Sequence, residues 1–391
     1  MDTAVVIEAK RSAIGKLLGG LSDLSAVEIG AQVALSVLGS AAVSPKDLDE
    51  VIVGQVLQAG AGQNPARQVA LKAGVPETIS AVTVNKVCGS GLQAVMQAAQ
   101  AIRVGDAEVV LAGGIESMTN APYLAPAMRK GARFGDTIFV DVMQHDGLNC
   151  AFEGWAMGCA AEHTARQCRI TRQDQDAYAI QSHQRAANAA ADGAFQNEIV
   201  PIEIQHKRET VTFTTDEIIR PGVDAAAMAK LPTVFEKDGT VTPGNASAIA
   251  DGAALAIIAS EKTAKERGWP IKARIRGYGT AGVAPRDLFI APIDAIKQVC
   301  AKAGWSLDQV DLFEINEAFA SQMLACICGL ELDPERVNVN GGGIALGHPI
   351  GASGARCLTT LLYAMAARSA RKGVVSLCLG GGNAVAMAVE C

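Results

Sequence analysis

Short runs of β-branched and apolar residues alternate with long amphipathic stretches rich in small residues along most of this chain. The short runs predict strands, the first of which begins at once over residues 2–9. The longer stretches have the 3.6-residue period of helices. Further strands are predicted at residues 81–84, 108–112, 310–315 and 374–378. This alternation predicts an α/β fold with layered elements and mostly parallel strands.

The predicted elements contain a duplication. In the first half, a glycine turn at residues 88–91 opens a helix to about Val104, and a strand follows that ends in two glycines. In the second half, a glycine turn at residues 351–354 opens a helix to about Arg368, and the next strand ends in three glycines. The repeat predicts two similar halves with alanine-rich helices buried between sheets, because small side chains permit close approach.

The middle of the chain breaks this rhythm. Residues 118–246 hold six prolines and the densest charge in the chain. They include one clear helix pattern over residues 171–191, with Thr171 as its N-cap. We therefore predict that residues 118–246 form an inserted loop domain over the active site. The N-terminal half would then comprise residues 1–117 and 247–268, and the C-terminal half residues 269–391.

Composition narrows the class of protein. The 391 residues are 49% hydrophobic and 19% charged, which is typical of a compact globular protein. A formal charge of −6 offers no field that attracts a polyanion, so nucleic-acid binding is not expected. No apolar run approaches the roughly 18–20 residues of a membrane span. The first residues lack the features of a secretory or transit peptide, and the ten cysteines are expected to be reduced, so we expect a cytoplasmic protein.

Cys88 is the first candidate for chemistry. It follows the predicted strand at residues 81–84 and precedes a helix. Free N–H groups and the positive end of a helix dipole lower the pKa of a thiol there and favour the nucleophilic thiolate. Gly89 lets the backbone N–H groups face a ligand. The alternative is a small core residue, but core packing would leave the Gly-Ser-Gly sequence beside Cys88 unexplained.

Three further residues lie in similar settings. His348 is in the glycine-rich loop 341–351, where close approach of a substrate would let its imidazole act as a base toward a thiol. Cys378 ends a predicted strand before three glycines, a geometry that points a side chain into a cleft, although a cysteine in this position is more often core. Asn316 follows the strand at residues 310–315, and read alone it is a helix N-cap.

Together these segments resemble the thiolase family over essentially the whole chain. The matching motifs, in family order, are the Cys88 turn, residues 113–118, the Asn316-Glu317-Ala318-Phe319 box, the Gly347-His348-Pro349 loop and the Cys378 loop. The resemblance implies a thiolase-type duplicated α/β fold. Two similar βαβαβαββ halves would form a layered α-β-α-β-α core with an inserted loop domain.

The resemblance also implies the mechanism of an acyltransferase. Cys88 would take the acyl group as a thioester, activated by His348, and Cys378 would move a proton at the α-carbon of the second acyl-CoA. One oxyanion hole would consist of His348 and a water held by Asn316. The other would use the backbone N–H groups of Cys88 and Gly380, where a side chain on Gly380 would crowd the thioester.

The substrates implied by the resemblance are coenzyme A thioesters, with no permanently bound cofactor and no metal. By family position, Ser247 lies along the pantetheine and Arg220 lies near the adenine. The residues expected to line the acyl and pantetheine channel are Leu148, Met157, Phe235, Ala318 and Phe319, and for each of them core packing is the alternative. Short-chain biosynthetic thiolases commonly place His directly before the Met157-Gly158 pair, where this chain has Ala156, so a polar contact to the pantetheine is missing and the acyl-chain preference stays open.

The expected reaction is the reversible Claisen condensation of two acetyl-CoA to acetoacetyl-CoA and CoA. The alternative within the family is a 3-ketoacyl-CoA thiolase of broader range, acting in fatty-acid β-oxidation. A carrier-protein-dependent ketoacyl synthase lacks a second catalytic cysteine, so Cys378 argues against that class. A non-catalytic CoA- or lipid-binding scaffold would not need intact chemistry at four positions.

One stretch bears on assembly. Residues 128–136 are basic and are followed by the apolar residues 138–140. In tetrameric short-chain thiolases this region bridges two tight dimers, whereas a solvated loop is the alternative. We expect a homotetramer built as a dimer of dimers, with Arg129, Lys130 and Arg133 near the second interface, and a homodimer as the alternative.

Overall fold

The structure is a computed structural model, and it describes residues 2–205 and 209–391. The described residues form fifteen strands and eleven α-helices. The strands are β1 (Ala4–Ser12), β2 (Gly15–Lys16), β3 (Glu50–Gly54), β4 (Ser80–Val84), β5 (Val109–Ser117), β6 (Tyr123–Leu124), β7 (Val140–Asp141), β8 (Ile199–Val200), β9 (Ile202–Gln205), β10 (Thr210–Phe213), β11 (Ala250–Ser260), β12 (Ala273–Gly282), β13 (Leu312–Ile315), β14 (Lys372–Leu379) and β15 (Asn383–Glu390). The helices are α1 (Ala26–Ala41), α2 (Pro65–Lys72), α3 (Ser90–Val104), α4 (Met157–Gln167), α5 (Arg172–Ala191), α6 (Ala225–Ala229), α7 (Glu261–Arg267), α8 (Ala291–Ala303), α9 (Ala320–Leu330), α10 (Gly343–Leu346) and α11 (Ser353–Arg368).

The strands repeat one arrangement in the two halves. In the N-terminal half the order is β4-β3-β5-β11-β1, with parallel pairs β4-β3 and β3-β5 and antiparallel pairs β5-β11 and β11-β1. In the C-terminal half the order is β13-β14-β15-β12, parallel at β13-β14 and antiparallel after it. The halves join where β1 pairs with β12 at Val5↔Arg274 and Val6↔Ala273. The duplicated fold expected from the sequence is therefore confirmed. The expectation of mostly parallel strands is wrong, because antiparallel pairs outnumber parallel pairs in the large sheet.

One strand is not repeated in full. The counterpart of β4 in the C-terminal half is a single parallel bridge between Phe313 and Val337. This bridge follows α9, which places it where the repeat expects a strand. The second half is thus a shortened copy of the first.

Helices and sheets alternate in five layers. Helices α3 and α11 lie in the middle, and their apolar side chains share one buried cluster with both sheets. Helices α1 and α2 cover the outer face of the N-terminal sheet, while α8 and α9 cover that of the C-terminal sheet. This confirms the layered α-β-α-β-α core.

The two central helices meet at their first turns, and glycine makes that contact possible. A Cβ atom on Gly91 would lie 2.9 Å from the carbonyl oxygen of Gly351, and a Cβ atom on Gly354 would lie 2.5 Å from the backbone nitrogen of Leu92. Real Cβ atoms do not approach backbone this closely. The close contact brings together the turn that precedes α3 and the loop that precedes α11, which carry Cys88 and His348.

The segment between β5 and β11 contains the remaining small elements, from β6 to β10 and from α4 to α6. Helix α5 begins as the sequence predicts, because the Thr171 hydroxyl accepts from the backbone N–H of Asp174 and the Asp174 carboxylate accepts from the backbone N–H of Thr171. The domain boundaries expected from the sequence remain a prediction. In the part of the chain that the structure describes, no helix is both long enough and apolar enough to cross a membrane.

Candidate active site

Cys88 lies in a tight turn between β4 and α3. The preceding residue, Val87, has φ of 47°, a left-handed backbone conformation that is rare for a β-branched residue. The Ser90 hydroxyl holds this turn by accepting from the backbone N–H of Lys86 at 2.9 Å and donating to the carbonyl of Val87 at 2.6 Å. A strained conformation persists only when its surroundings enforce it, and such residues cluster at active sites. The turn fixes the direction of the Cys88 side chain.

The expectation that the helix terminus lowers the pKa of the Cys88 thiol is wrong. Burial raises the pKa of Cys88 to about 12, although the backbone N–H groups of Cys88 and Gly380 oppose this by hydrogen bonding to the sulfur. Loss of hydration is the larger effect and outweighs these N–H groups. The cap of α3 is Gly89. The resting group is a neutral thiol, so it needs a base before it can attack.

The two N–H groups on this sulfur are the pair expected to form an oxyanion hole. A Cβ atom added to Gly380 would lie 3.3 Å from Val87, so a side chain there would press on the nucleophile turn. The two N–H groups come from two different elements, the Cys88 turn and the turn that follows β14. This arrangement can hold negative charge next to Cys88.

Cys378 lies in β14 beside this site. Its residue is 2% exposed, and it pairs with Ala384 across the β14-β15 hairpin. Burial raises the pKa of the Cys378 thiol well above its usual value, and the charge of a Cys88 thiolate raises it further. The structure therefore brings the two cysteines together from opposite halves of the chain.

Asn316 and His348 lie side by side. The amide nitrogen Nδ2 of Asn316 is 3.4 Å from Nε2 of His348 and 3.4 Å from Nδ1. The reading of Asn316 as a helix N-cap is wrong, since α9 begins at Ala320 and its cap is Phe319. Asn316 instead follows β13, and its backbone N–H donates to Ser376, two residues before Cys378. The neighbouring parallel strands β13 and β14 thus place Asn316 and Cys378 at the same end of the sheet.

His348 is almost fully buried, with 7% exposure. Burial and the nearby positive charge of Arg356 lower the pKa of His348 to about 3, so the imidazole is neutral at neutral pH. A neutral imidazole is the form that can accept a proton. The function of His348 as a base toward Cys88 stays a prediction.

Arg356 is a functional residue that sequence reasoning missed. It is completely buried in α11, where Nη1 donates to Glu314 Oε1 at 2.7 Å and Nη2 donates to Asn316 Oδ1 at 3.4 Å. Because a guanidinium only donates, the atom of Asn316 that faces it is the oxygen, and the amide nitrogen is left facing His348. The available signal was a charged residue in the first turn of a helix with no other charge before Arg368.

Two buried carboxyl groups, also missed, hold the surrounding loops. Glu317 accepts hydrogen bonds from Tyr178, Ser182, Asn338 and the backbone N–H of Ile344. Glu116 accepts from the backbone N–H groups of Val56, Leu57 and Gly351, and burial raises its pKa to about 8. The hydrogen bonds of Glu317 fix α10, which precedes His348, and those of Glu116 fix the turn that follows His348.

The residues predicted to bind coenzyme A lie in three parts of the structure. Met157, Ala318 and Phe319 belong to the apolar cluster that contains Cys378, and the ring of Phe235 packs edge-on against Phe319 with 6.3 Å between centroids. Leu148 packs in the cluster that contains Cys88. Ser247 is half-buried and donates its backbone N–H to Ala318, while Arg220 is exposed. Their proposed contacts with coenzyme A are not tested by the geometry alone.

Ala156 caps α4 without a side-chain hydrogen bond, and it lies between Trp155 and Met157. Both neighbours pack against the Cys378 cluster. The position is therefore apolar in this chain. Among the described residues, no group of three or more His, Cys, Asp or Glu could hold a metal ion.

Comparison with known proteins agrees with this geometry. The family model for the thiolase N-terminal domain matches residues 4–262, and that for the thiolase C-terminal domain matches residues 269–391. An acetyl-CoA acetyltransferase of Pseudomonas aeruginosa is 51% identical over 388 residues, covering 99% of each chain, and one of Cupriavidus necator is 49% identical over 391 residues, covering all of both. A crystal structure of the Bacillus anthracis acetyl-CoA acetyltransferase superposes with a TM-score of 0.98 at 42% identity, covering 100% of this chain and 99% of that one. With two family models spanning nearly its whole length, this chain belongs to the thiolase family.

Proposed function

We propose that this protein is an acetyl-CoA C-acetyltransferase that reversibly condenses two acetyl-CoA to acetoacetyl-CoA and CoA. The observation that carries the proposal is the pair of cysteines from opposite halves, with the backbone N–H groups of Cys88 and Gly380 directed at the Cys88 sulfur. Relatives about 50% identical over the full length have the same activity in their names. Two thiols, a neutral imidazole and preformed anion donors are what a two-step acyl transfer needs.

In the first half-reaction, Cys88 becomes acetylated. Its S–H proton passes to Nε2 of His348 while the sulfur bonds to the carbonyl carbon of acetyl-CoA. The negative charge on the carbonyl oxygen is held by the backbone N–H groups of Cys88 and Gly380. The bond between that carbon and the CoA sulfur then breaks, and the CoA sulfur takes the proton back from Nε2. The products are acetyl-Cys88 and free CoA.

In the second half-reaction, Cys378 acts as the base. Its own S–H proton passes to Nε2 of His348, and the thiolate then removes a proton from the α-carbon of a second acetyl-CoA. The charge that develops on the thioester oxygen is stabilised by the Nε2–H group of His348 beside Asn316. The enolate carbon bonds to the acetyl carbon, and the bond to the Cys88 sulfur breaks. The Cys88 sulfur takes the proton from Nε2 of His348, Cys378 keeps the α-proton as a neutral thiol, and acetoacetyl-CoA leaves. Thiolysis is the reverse sequence.

Coenzyme A thioesters enter this scheme as substrates, and no resident cofactor is needed for any step. We propose that the pantetheine passes Ser247, Leu148 and Met157, with Arg220 at the nucleotide end. The half-buried or exposed positions of Ser247 and Arg220 support a route from the surface to Cys378. The apolar cluster around Cys378 supports an apolar inner end.

Substrate length tests the acetyl specificity. The rings of Phe289 and Phe319 pack with centroids 5.3 Å apart in the cluster around Cys378, and we propose that these rings limit the length of the acyl chain. We expect kcat/KM for thiolysis to fall at least about 10-fold from a four-carbon to a six-carbon 3-ketoacyl-CoA, since one methylene group changes binding by about 1–3 kcal/mol. Steady-state rates across 3-ketoacyl-CoA of four to twelve carbons measure this. A flat profile would favour the broader 3-ketoacyl-CoA thiolase.

We also propose a homotetramer built from two tight dimers. Strand β4 is the edge strand of the N-terminal half, and its Val82 side chain is exposed. An exposed edge strand supports pairing with a second copy across a two-fold axis. Strands β6 and β7 pair with each other and bound a segment that exposes Phe134, Ile138 and Phe139. Exposed apolar side chains gathered in this way typically mark an interface.

Deletion of residues 126–136 tests the second interface. Light scattering at micromolar concentration should report about four times the chain mass for the intact protein and about twice for the deletion variant. The substitution Phe134→Asp should give the same dimer, whereas Val104→Asp, at an exposed apolar residue at the end of α3, should leave the tetramer intact. An intact protein that is already a stable dimer, unchanged by the deletion, would refute the tetramer.

We propose a cytoplasmic location. All ten cysteines are unpaired, including the exposed Cys168, Cys328 and Cys391. Free thiols persist in reducing compartments.

A further inference from the structure

One nitrogen of the His348 ring has a close hydroxyl partner. Its Nδ1 atom lies 2.6 Å from the hydroxyl oxygen of Ser353, which is completely buried in the first turn of α11. Neither nitrogen of a neutral imidazole can be both donor and acceptor, so the partner of one nitrogen determines where the single proton resides. Ser353 is therefore placed to select the tautomer of His348.

The second contact of Ser353 shows which tautomer it selects. Its hydroxyl oxygen lies 2.9 Å from the carbonyl oxygen of Pro349, four residues earlier. A carbonyl oxygen only accepts, so the one hydroxyl proton of Ser353 is donated to Pro349. With that proton used, the contact between the Ser353 oxygen and Nδ1 needs the proton on Nδ1. Nε2 is left with its lone pair.

Asn316 does not distinguish the two tautomers. Its oxygen faces the guanidinium of Arg356, and its amide nitrogen lies 3.4 Å from each of the two ring nitrogens of His348. The assignment of the tautomer therefore rests on the two contacts of Ser353.

We propose that Ser353 is a positioning residue that holds His348 as the Nδ1–H tautomer, so that Nε2 is free to accept the proton of the Cys88 thiol. The inference rests on the proposed function, in which Nε2 is the base for acetylation. The chain Pro349–Ser353–His348 then has the logic of a base oriented by a third group, with a hydroxyl and a backbone carbonyl in the place of a carboxylate. Such a chain adds no negative charge, and the imidazole remains neutral beside Arg356.

Two measurements test the proposal. The first is the solid-state ¹⁵N NMR spectrum of the sedimented wild-type protein with ¹⁵N-labelled histidine, in which His348 is identified among five histidines by the signals that His348→Asn loses. It should show a protonated Nδ1 and an unprotonated Nε2. A protonated Nε2 in the free enzyme would overturn the proposal, and this readout needs no Ser353 variant to fold.

The second measurement is the rate of Cys88 acetylation, followed by CoA release in a single turnover with acetyl-CoA. Ser353→Ala should slow it at least about 10-fold with little change in KM, because a positioned base contributes about 10²–10⁴-fold and a wrong tautomer removes part of that. Ser353→Thr, which keeps the hydroxyl, should recover most of the rate. The matched control is Thr359→Val, which removes a buried hydroxyl in the same helix that also donates to the carbonyl four residues earlier.

The outcomes separate this proposal from the one on which it rests. Wild-type protein that releases no CoA and forms no acetyl-Cys88 would contradict the proposed function itself. Normal acetylation in both the wild type and a folded Ser353→Ala variant would contradict only the function of Ser353. An equal loss of rate in Thr359→Val would show that a buried hydroxyl in α11 matters for structure and not for the tautomer.

Discussion

Replacing Cys88 by serine should abolish acyl transfer while leaving the fold intact. The serine hydroxyl is smaller than the thiol and fits the same turn, and the Ser90 bonds that hold the turn do not involve residue 88. At neutral pH a hydroxyl is a far weaker nucleophile than a thiol. Loss of an activated nucleophile from a set of groups that act together typically costs about 10⁴-fold or more. Condensation and thiolysis should both fall by that amount, as measured by formation and cleavage of acetoacetyl-CoA.

The acetyl group itself identifies the nucleophile. After incubation with acetyl-CoA, mass spectrometry of peptides from the wild-type protein should locate one acetyl group on Cys88 and none on the other nine cysteines. Cys168→Ser is the control, since it removes an exposed thiol at the end of α4. Acetylation of Cys378, or of no cysteine, would overturn the function assigned to Cys88.

Much of this architecture could be predicted because it depends on local patterns. The glycine turns at residues 88–91 and 351–354 predict where α3 and α11 begin, and their repetition predicts two halves. Thr171 predicts the start of α5 because an N-cap is a local hydrogen bond. The positions of Cys88, His348 and Cys378 follow from the glycines next to each of them in the sequence. In each case the physical cause lies within a few residues of its consequence.

The rest depends on contacts between residues far apart in the chain. The pKa of Cys88 is raised because the folded protein removes water from the thiol, and a helix terminus read from the sequence gives the opposite sign. The orientation of the Asn316 amide depends on Arg356, forty residues later. Ser353 reads as part of a turn, and its importance appears only when the loop brings His348 Nδ1 to its hydroxyl. These are properties of tertiary packing.

The electrostatics of the two thiols suggest an order for the chemistry. A Cys88 thiolate would raise the already high pKa of Cys378, so the two thiols are not both ionised in the free enzyme. Acetylation converts Cys88 into an uncharged thioester and removes that opposition. Cys378 is then easier to ionise only after the first half-reaction, which is when its function as a base is required. Acetylation of Cys88 thus favours the ionisation of Cys378 that the second half-reaction requires.

Replacing Cys378 by alanine should separate the two half-reactions. In the proposed mechanism this thiol moves a proton only at the α-carbon, so its loss should leave residual acetylation of Cys88. Condensation and thiolysis should fall by about 10²–10⁴-fold, the contribution typical of a positioned acid–base group. Single-turnover CoA release measures the first step, and acetoacetyl-CoA formation measures the whole reaction.

Cys300→Ala is the matched control for that variant. Cys300 is also a buried thiol with its pKa raised by burial, to about 11, but it packs in α8 on the outer face of the C-terminal sheet. Its replacement creates a similar small cavity, at a cost of about 1 kcal/mol, without touching the site. It should therefore keep both half-reactions. A Cys378→Ala protein that condenses acetyl-CoA at nearly the normal rate would remove Cys378 from the mechanism, because no effect of packing could then conceal the loss of a base.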